Sequence, residues 1–135
     1  MARVTGVDRQ LARLKRAGAA VREEADQALV TAAGLVTAEA LASITADWKS
    51  GPGHIPSLPG ESPKADTDLL HRGIGIERRG ELEVHVISTA PYARDLEYGT
   101  SRVAARPYLR PAVAKTRDKA VELLRQAVRR GLAKK

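Results

Sequence analysis

The chain has 135 residues, which suits one domain with a modest core. Hydrophobic residues make up 43% of it but aromatic residues only 3%, so the core must be built mainly from Ala, Val, Leu and Ile. The formal net charge is +7, and the excess lies in residues 106–135, which carry ten Lys and Arg against two Asp and Glu. The absence of cysteine excludes disulfides and thiolate metal sites.

The N-terminus gives no sign of export or membrane insertion. Met1 to Leu14 contain no apolar run of signal-peptide length. No segment approaches the roughly 20 consecutive apolar residues that span a bilayer. We therefore expect a soluble protein, made in the cytoplasm, with no membrane partner.

Apolar and small residues near the N-terminus recur at alternating spacings of three and four. This periodicity predicts a helix from about Val7 to Trp48, with Gly34 as the place where it could break. Its many Ala and Gly residues would let another backbone approach closely. A coiled-coil arm is the alternative interpretation, although an Ala-rich seam specifies one only weakly. The stripe consists of Leu11, Leu14, Gly18, Val21, Ala25, Ala28, Ala32 and Leu35.

Residues 50–65 interrupt this periodicity with a cluster of Pro and Gly. Such a composition excludes a helix and disfavours a paired central strand. The segment is either an exposed loop that becomes ordered against a partner or a plain flexible connector. The cluster consists of Gly51, Pro52, Gly53, Pro56, Pro59, Gly60 and Pro63.

The next segments predict one helical turn and a β-hairpin. Asp66 or Thr67 could cap a turn at Asp66–Gly73. Residues 74–88 alternate between apolar and polar on both sides of a Gly turn, which predicts a hairpin. Its strands are expected near Ile74–Arg78 and Leu82–Ser88.

The C-terminal third predicts a second helical turn and a long helix. The turn lies in Pro91–Thr100 and is stopped by Gly99. Pro111 suits the first turn of a helix that spans 111–131, with Gly131 near its end. The order of long N-terminal helix, flexible loop, small antiparallel sheet built on a hairpin and basic C-terminal helix predicts an α+β fold. We expect residues 1–135 to form a single domain.

No catalytic or cofactor-binding pattern is present in the sequence. His54, His71 and His85 lack the close spacing of a metal site. No nucleophile elbow occurs, and the Gly73–Gly75 stretch lacks the Lys-Ser/Thr of a phosphate loop. We therefore expect a protein that is not an enzyme and that uses neither metal nor cofactor.

The basic C-terminal helix has several interpretations. It could be a solvated surface, or it could contact nucleic acid or an acidic partner. Phosphate contacts would give salt-sensitive, sequence-independent DNA binding, but no stacking aromatics are interleaved with the cations. The residues that could make this contact are Lys115, Lys119, Arg125, Arg129 and Arg130.

The segment from Pro91 to Pro111 contains three of the four aromatic residues of the chain. Tyr and Arg dominate it, and both are enriched at protein interfaces. Tyr92 and Leu96 are four residues apart and so share one face of a helical turn. Glu97 could pair with Arg102 or Arg106. The alternative interpretation is that the tyrosines fill a small core.

Three short motifs follow one another along the chain. The first is Asp66-Thr67-Asp68-Leu69-Leu70, the second is Tyr92-Ala93 with Glu97-Tyr98-Gly99-Thr100, and the third is Arg106-Pro107-Tyr108-Leu109-Arg110-Pro111-Ala112. In this order they resemble the motifs of the tail-completion, or head–tail joining, family of long-tailed bacteriophages, with Asp68 where that family usually has Gly. Members of the family have an Ala-rich N-terminal helix, a Pro-rich loop, a β-hairpin and a C-terminal helix.

The resemblance implies a structural virion subunit at the head–tail junction. Six copies would form a ring around the DNA channel and join the connector or stopper to the tail-tube or tail-terminator proteins. Such a ring needs two different surfaces on each subunit. The hairpin edge and the Tyr-rich segment are the candidates, and the 50–65 loop would become ordered on docking. The expected interface residues are Tyr92, Leu96, Glu97, Tyr98, Gly99, Thr100, Arg106, Pro107, Tyr108 and Arg110. The alternative function is a small basic protein that binds DNA through its C-terminal helix.

Overall fold

The computed structural model describes residues 6–45, 58–60 and 68–134. Four helices and two strands occur in these ranges, and together they confirm the predicted α+β fold. In chain order the elements are α1 (Val7–Thr45), α2 (Asp68–Gly73), β1 (Ile74–Gly80), β2 (Glu83–Ser88), α3 (Ala93–Tyr98) and α4 (Leu109–Ala133).

α1 is one continuous helix of 39 residues. It begins at Val7 as predicted, and Asp8 places a negative charge in its first turn, where the helix dipole favours one. The helix does not break at Gly34, the place where a break could have occurred, because the Ala-rich sequence around this single glycine favours helix strongly enough to offset it. The predicted end at Trp48 lies outside the described residues.

α4 packs antiparallel along α1 through small side chains. Ala28 and Ala32 of α1 and Ala127 of α4 are buried. Near the end of α4 the two backbones come so close that a Cβ on Gly131 would lie 2.5 Å from the Cα of Val21. The predicted close approach of another backbone to the small-residue stripe is therefore confirmed, and α4 is the element that makes it.

The hairpin forms where the alternating pattern predicted it. β1 and β2 pair antiparallel from Ile74 opposite Ser88 to Gly80 opposite Glu83, with an irregularity between Arg78 and Gly80. β1 therefore runs two residues further than predicted. Leu82, expected in the second strand, instead lies in the turn with a φ of 57°.

The main core lies where the hairpin, α2 and the start of α4 meet the C-terminal half of α1. Tyr108 and Ile44 are its largest fully buried side chains. The prediction of a core built from small aliphatic residues is confirmed, apart from this one tyrosine. The buried cluster consists of Ala40, Ile44, Leu70, Ile74, Ala90, Ala93, Tyr108 and Ala112.

Several predicted boundaries shift or fall outside the described residues. α4 begins at Leu109, two residues before the predicted start, and it continues past Gly131 to Ala133. Gly131 is thus part of the helix and not its terminator. Of the predicted 50–65 loop only 58–60 are described, and the Gly60 N–H donates to the Ala105 carbonyl at 3.0 Å. The two predicted caps of α2, at positions 66 and 67, lie outside the described residues.

α1 is long and apolar enough to span a bilayer by length and composition alone. The expectation that no segment approaches such a span was therefore wrong on those two criteria. A core helix of a soluble protein meets the same criteria. In this fold α1 buries apolar residues against other elements, and Glu24, Asp26 and Glu39 along it form ion pairs with α4 and the hairpin.

Candidate functional site

A buried carboxylate, Glu97, joins α3 to the start of α4. One of its oxygens accepts hydrogen bonds from the backbone N–H groups of Tyr108 and Leu109 at 2.9 and 3.1 Å. The other accepts from the N–H of Arg110 at 2.8 Å and from its Nε at 3.1 Å. The first N–H groups of a helix have no partner within the helix, and a negative charge there is favoured by the helix dipole. Glu97 therefore caps α4 from a neighbouring element.

The positive φ of Gly99 and the hydrogen bonds of one hydroxyl shape the loop between α3 and α4. Gly99 adopts a φ of 75°, and a Cβ there would lie 2.8 Å from the backbone N of Ala105. The Thr100 hydroxyl accepts from the N–H groups of Arg102 and Val103 at 3.2 and 3.1 Å. The loop thus turns back on itself and brings Glu97 beneath the first turn of α4.

The pKa of Glu97 reflects two opposing effects. Burial favours the neutral acid and raises the pKa, since only 5% of the residue is exposed. The hydrogen bonds from the backbone N–H groups of Tyr108, Arg110 and Leu109 and from the Arg110 side chain outweigh burial and lower the pKa below its ordinary value of 4.5. Glu97 is therefore ionised at neutral pH, as a cap that uses its charge must be.

Tyr108 connects the start of α4 to the hairpin. Its ring is fully buried, and its hydroxyl donates to the Ser88 Oγ at 2.8 Å. Burial raises the pKa of the phenol, so the hydroxyl stays protonated and remains a donor. This arrangement matches the interpretation that a tyrosine of the segment fills the core.

On the surface beside the Glu97 cap, an exposed aromatic ring lies next to a cation. Tyr98 is 66% exposed, and the Arg110 guanidinium lies 5.0 Å from the centre of its ring. Arg110 also donates from Nη2 to the Glu97 carbonyl oxygen. The hydrogen bonds to Glu97 therefore hold Arg110 in place, and its guanidinium lies next to the ring of Tyr98. Beside them is a cleft of about 240 Å³ that is lined by Ser88, Ala93, Arg94, Glu97, Tyr98, Tyr108, Leu109 and Arg110.

The predicted interface residues divide into buried, half-buried and exposed groups. Glu97 and Tyr108 are buried and form hydrogen bonds within their own chain. The structure pairs Glu97 with Arg110, whereas the sequence had indicated Arg102 or Arg106. Thr100, Tyr98 and Arg110 are exposed, while Tyr92, Leu96, Gly99, Arg106 and Pro107 are half-buried. Arg94, which the sequence reasoning missed, is exposed beside Tyr98; the spacing of four residues between them was the available signal. The role of this set at an interface stays a prediction.

Several cations of the basic helix are engaged within the subunit. Lys115 pairs with Glu39 at 3.0 Å, and Arg130 pairs with Glu24 at 3.0 Å. Hydrogen bonds from Lys134, at 2.6 Å, and from Arg130 lower the pKa of Glu24. These ion pairs join α4 to α1, so part of the C-terminal charge is balanced inside the fold.

The remaining cations are spread along α4. Arg125 lies 3.9 Å from Glu122 of the same helix. Lys119 and Arg129 are exposed and form no ion pair with the part of the chain that the structure describes. They are ten residues apart, which is about 15 Å along a helix.

Comparison with known proteins identifies a family for most of the chain. Residues 8–99 match the model of the family described as "Bacteriophage HK97-gp10, putative tail-component". The match covers α1 from its second residue, together with α2, the hairpin and α3, and it ends at Gly99. Searches of curated proteins and of solved structures gave no match. The matched residues are well over half of the chain, and the protein therefore belongs to the HK97-gp10-like family of bacteriophage tail components.

Proposed function

We propose that this tail component is a subunit of the head–tail junction. Several copies, six in the arrangement that the sequence resemblance implies, form a ring around the DNA channel. The ring joins the connector or stopper on one side to the tail-tube or tail-terminator protein on the other. The role is structural and involves no catalysis, and the subunit is built into the neck of virions that assemble in the host cytoplasm.

The observation that carries this proposal is the exposed Tyr98–Arg110 pair above the Glu97 cap. Tyr and Arg are the residue types that contribute most at protein interfaces. A side chain that is already fixed loses little conformational entropy when a partner binds. Arg110 is held by two kinds of hydrogen bond to Glu97, and its guanidinium lies over the ring of Tyr98. An exposed Tyr–Arg pair whose arginine is already held by hydrogen bonds is therefore well suited to contact a neighbouring virion protein.

A closed ring also requires a second, different surface on each subunit. The hairpin supplies a candidate, because its sheet has two strands in the described ranges 6–45, 58–60 and 68–134, and hence two outer edges. Within the described residues, the backbone hydrogen bonds of β1 and β2 are made to each other, so an additional strand could pair at an edge. The edge of β2 is the better candidate, because β1 carries the irregularity between Arg78 and Gly80.

The proposal is tested by complementing a phage that lacks this subunit with variants of Tyr98, from the exposed pair, and of Arg94, which lines the cleft beside it. Tyr98→Ala and Arg94→Ala should leave the purified protein folded, because both side chains are exposed. We expect unjoined heads and tails in electron micrographs. Arg117→Ala is the matched control, since Arg117 is also exposed and lies on α4 outside the lining of the cleft. Normal particles from both test variants would contradict the assignment of this surface.

DNA binding through α4 remains the alternative function. The ion pairs of Lys115 and Arg130 with α1 reduce the charge that α4 could offer to phosphates. If α4 nevertheless binds DNA, duplex binding should occur at micromolar protein and weaken steeply with salt. Arg129→Gln with Lys119→Gln should then abolish binding. Unjoined particles from the Tyr98 variant, together with no DNA binding at low salt, would favour the junction role.

A further inference from the structure

The first turns of α1 extend beyond the rest of the subunit. α4 runs antiparallel to α1 and ends at Ala133, just after Gly131 contacts Val21. The hairpin reaches α1 at Asp26, which pairs with Arg78, and at Arg22. Residues 7–18, which we call the arm, therefore lie past both neighbouring elements. The arm has twelve residues and is about 18 Å long.

The arm carries an apolar stripe that no described element covers. Val7, Leu11 and Leu14 are 50%, 49% and 68% exposed. They are spaced four and three residues apart, and Gly18 and Val21 continue the same alternation into the part of α1 that packs on α4. The stripe is thus the same seam that packs against α4 further along α1, and it continues after α4 has ended. Large apolar side chains exposed together in this way mark an interaction site.

Two charged residues lie beside the stripe. Asp8 and Lys15 are seven residues apart and therefore occupy the same side of the helix. Both are exposed, and neither forms an ion pair with the described residues. The other cations of the arm, Arg9, Arg13 and Arg16, follow the opposite side of the helix, away from the stripe.

We propose that the arm pairs with the arm of a second copy of this chain as an antiparallel coiled coil. In that arrangement Leu11 packs against the partner's Leu14, and Val7 against the partner's Gly18. Equivalent flanking positions face each other in an antiparallel pair. Asp8 therefore meets the partner's Lys15, and Lys15 meets the partner's Asp8, so two ion pairs form.

Two observations favour the antiparallel orientation over the parallel one. The subunit body begins directly after the arm, where Gly131 meets Val21, so parallel arms would force two bodies into the same space. Antiparallel arms place the bodies at opposite ends. In addition, the parallel orientation would set Asp8 and Lys15 at the same level as their own copies, and it would lose both opposite-charge contacts within the arm.

The contact is small, so the dimer should be weak. An overlap of about 18 Å between two helices buries less than the roughly 1,600 Å² of a standard stable interface. Self-association should therefore depend on concentration. This two-fold contact lies at the opposite end of α1 from the Tyr98–Arg110 pair, because Lys115 in the early turns of α4 pairs with Glu39. It is separate from the proposed head–tail junction and does not depend on it.

Sedimentation equilibrium of the full chain over a range of concentrations tests the pairing. We expect dimers to form as the concentration rises to about 100 µM. Leu11→Glu with Leu14→Glu should give a monomer with an unchanged circular dichroism spectrum, because both side chains are exposed. Val113→Glu is the control: Val113 is 49% exposed on α4, and its substitution should leave the dimer intact.

Charge reversal then tests the partner and the orientation. Asp8→Lys and Lys15→Asp should each weaken the dimer, by roughly five- to tenfold, since two attractive pairs become repulsive. The two substitutions together restore opposite charges and should recover wild-type association. A wild-type monomer at all concentrations would overturn the proposal. A dimer that persists in the Leu11/Leu14 variant, or a double charge reversal that fails to recover, would overturn it as well.

Discussion

Replacing Glu97 by Gln tests whether the buried carboxylate specifies the start of α4. Gln has the same size but no charge, and its amide nitrogen would face either the Tyr108 and Leu109 N–H groups or those of Arg110. At least two donors would then lose their acceptor. Hydrogen bonds to a charged group contribute about 1.5–3 kcal/mol each, and unsatisfied buried donors add a cost of similar size. Because the site can relax in part, we expect a loss of about 2–4 kcal/mol in the free energy of unfolding.

Urea denaturation followed by circular dichroism measures this loss. For a protein of this size, a loss of that magnitude lowers the urea midpoint by about 1–2 M. Glu122→Gln is the control, because Glu122 lies on the exposed side of α4, and a surface substitution changes stability by about 0.5 kcal/mol or less. If Glu97→Gln is as mild as Glu122→Gln, the capping argument is refuted.

The pH dependence of stability gives an independent test of the same carboxylate. The pKa of Glu97 is lower in the folded protein than its ordinary value of 4.5. Its contribution to stability is therefore fully present above that value and is lost as the pH falls through the folded pKa. The difference in unfolding free energy between wild type and Glu97→Gln should shrink as the pH falls below 4.5. A difference that stays constant down to pH 2 would sink this account.

Four further substitutions probe backbone contacts and the buried tyrosine. Gly131→Ala should lower the unfolding free energy by about 1–3 kcal/mol through overpacking, whereas Gly34→Ala, which meets no atom within 4 Å, should raise it by about 0.5–1 kcal/mol. Equal effects in urea denaturation would argue against the close helix contact. Gly99→Ala should cost at least about 1 kcal/mol, because its φ is positive and its Cβ would meet backbone; an unchanged melting temperature would contradict this. Tyr108→Phe removes the donor to Ser88 and should lower the melting temperature by about 3–5 °C, and no shift would mean that the hydroxyl contributes nothing.

The elements that the sequence predicted well are those with a local repeat. The three-and-four spacing from Leu11 to Leu35 marked α1, and the alternation in 74–88 marked the hairpin. In both elements, the apolar residues of the buried face recur every few positions. The element can therefore be predicted without knowing what packs against it. The small-residue composition likewise indicated that another backbone would approach, although not that α4 would supply it.

The features that escaped prediction depend on contacts between distant residues. Glu97 caps a helix that begins twelve residues later, and no spacing rule connects a carboxylate to a helix start across such a loop. Gly131 looked like a helix terminator, because glycine commonly follows the end of a helix. Its actual role is set by Val21, which is over one hundred residues away in the chain. The tyrosines of the Pro91–Pro111 segment looked alike in sequence, yet Tyr98 is exposed and Tyr108 is fully buried.

The cap also bears on how the protein can be divided. The family match ends at Gly99, so a fragment cut at that border would keep the Glu97 carboxylate and discard the N–H groups that donate hydrogen bonds to it. It would also lose α4 and uncover the alanine face of α1. Such a fragment would lose the hydrogen bonds that hold α3 and would expose the apolar face of α1, so it should fail to fold by itself. The stretch that matches the family model is thus shorter than the stretch that we expect must be expressed to obtain a stable protein.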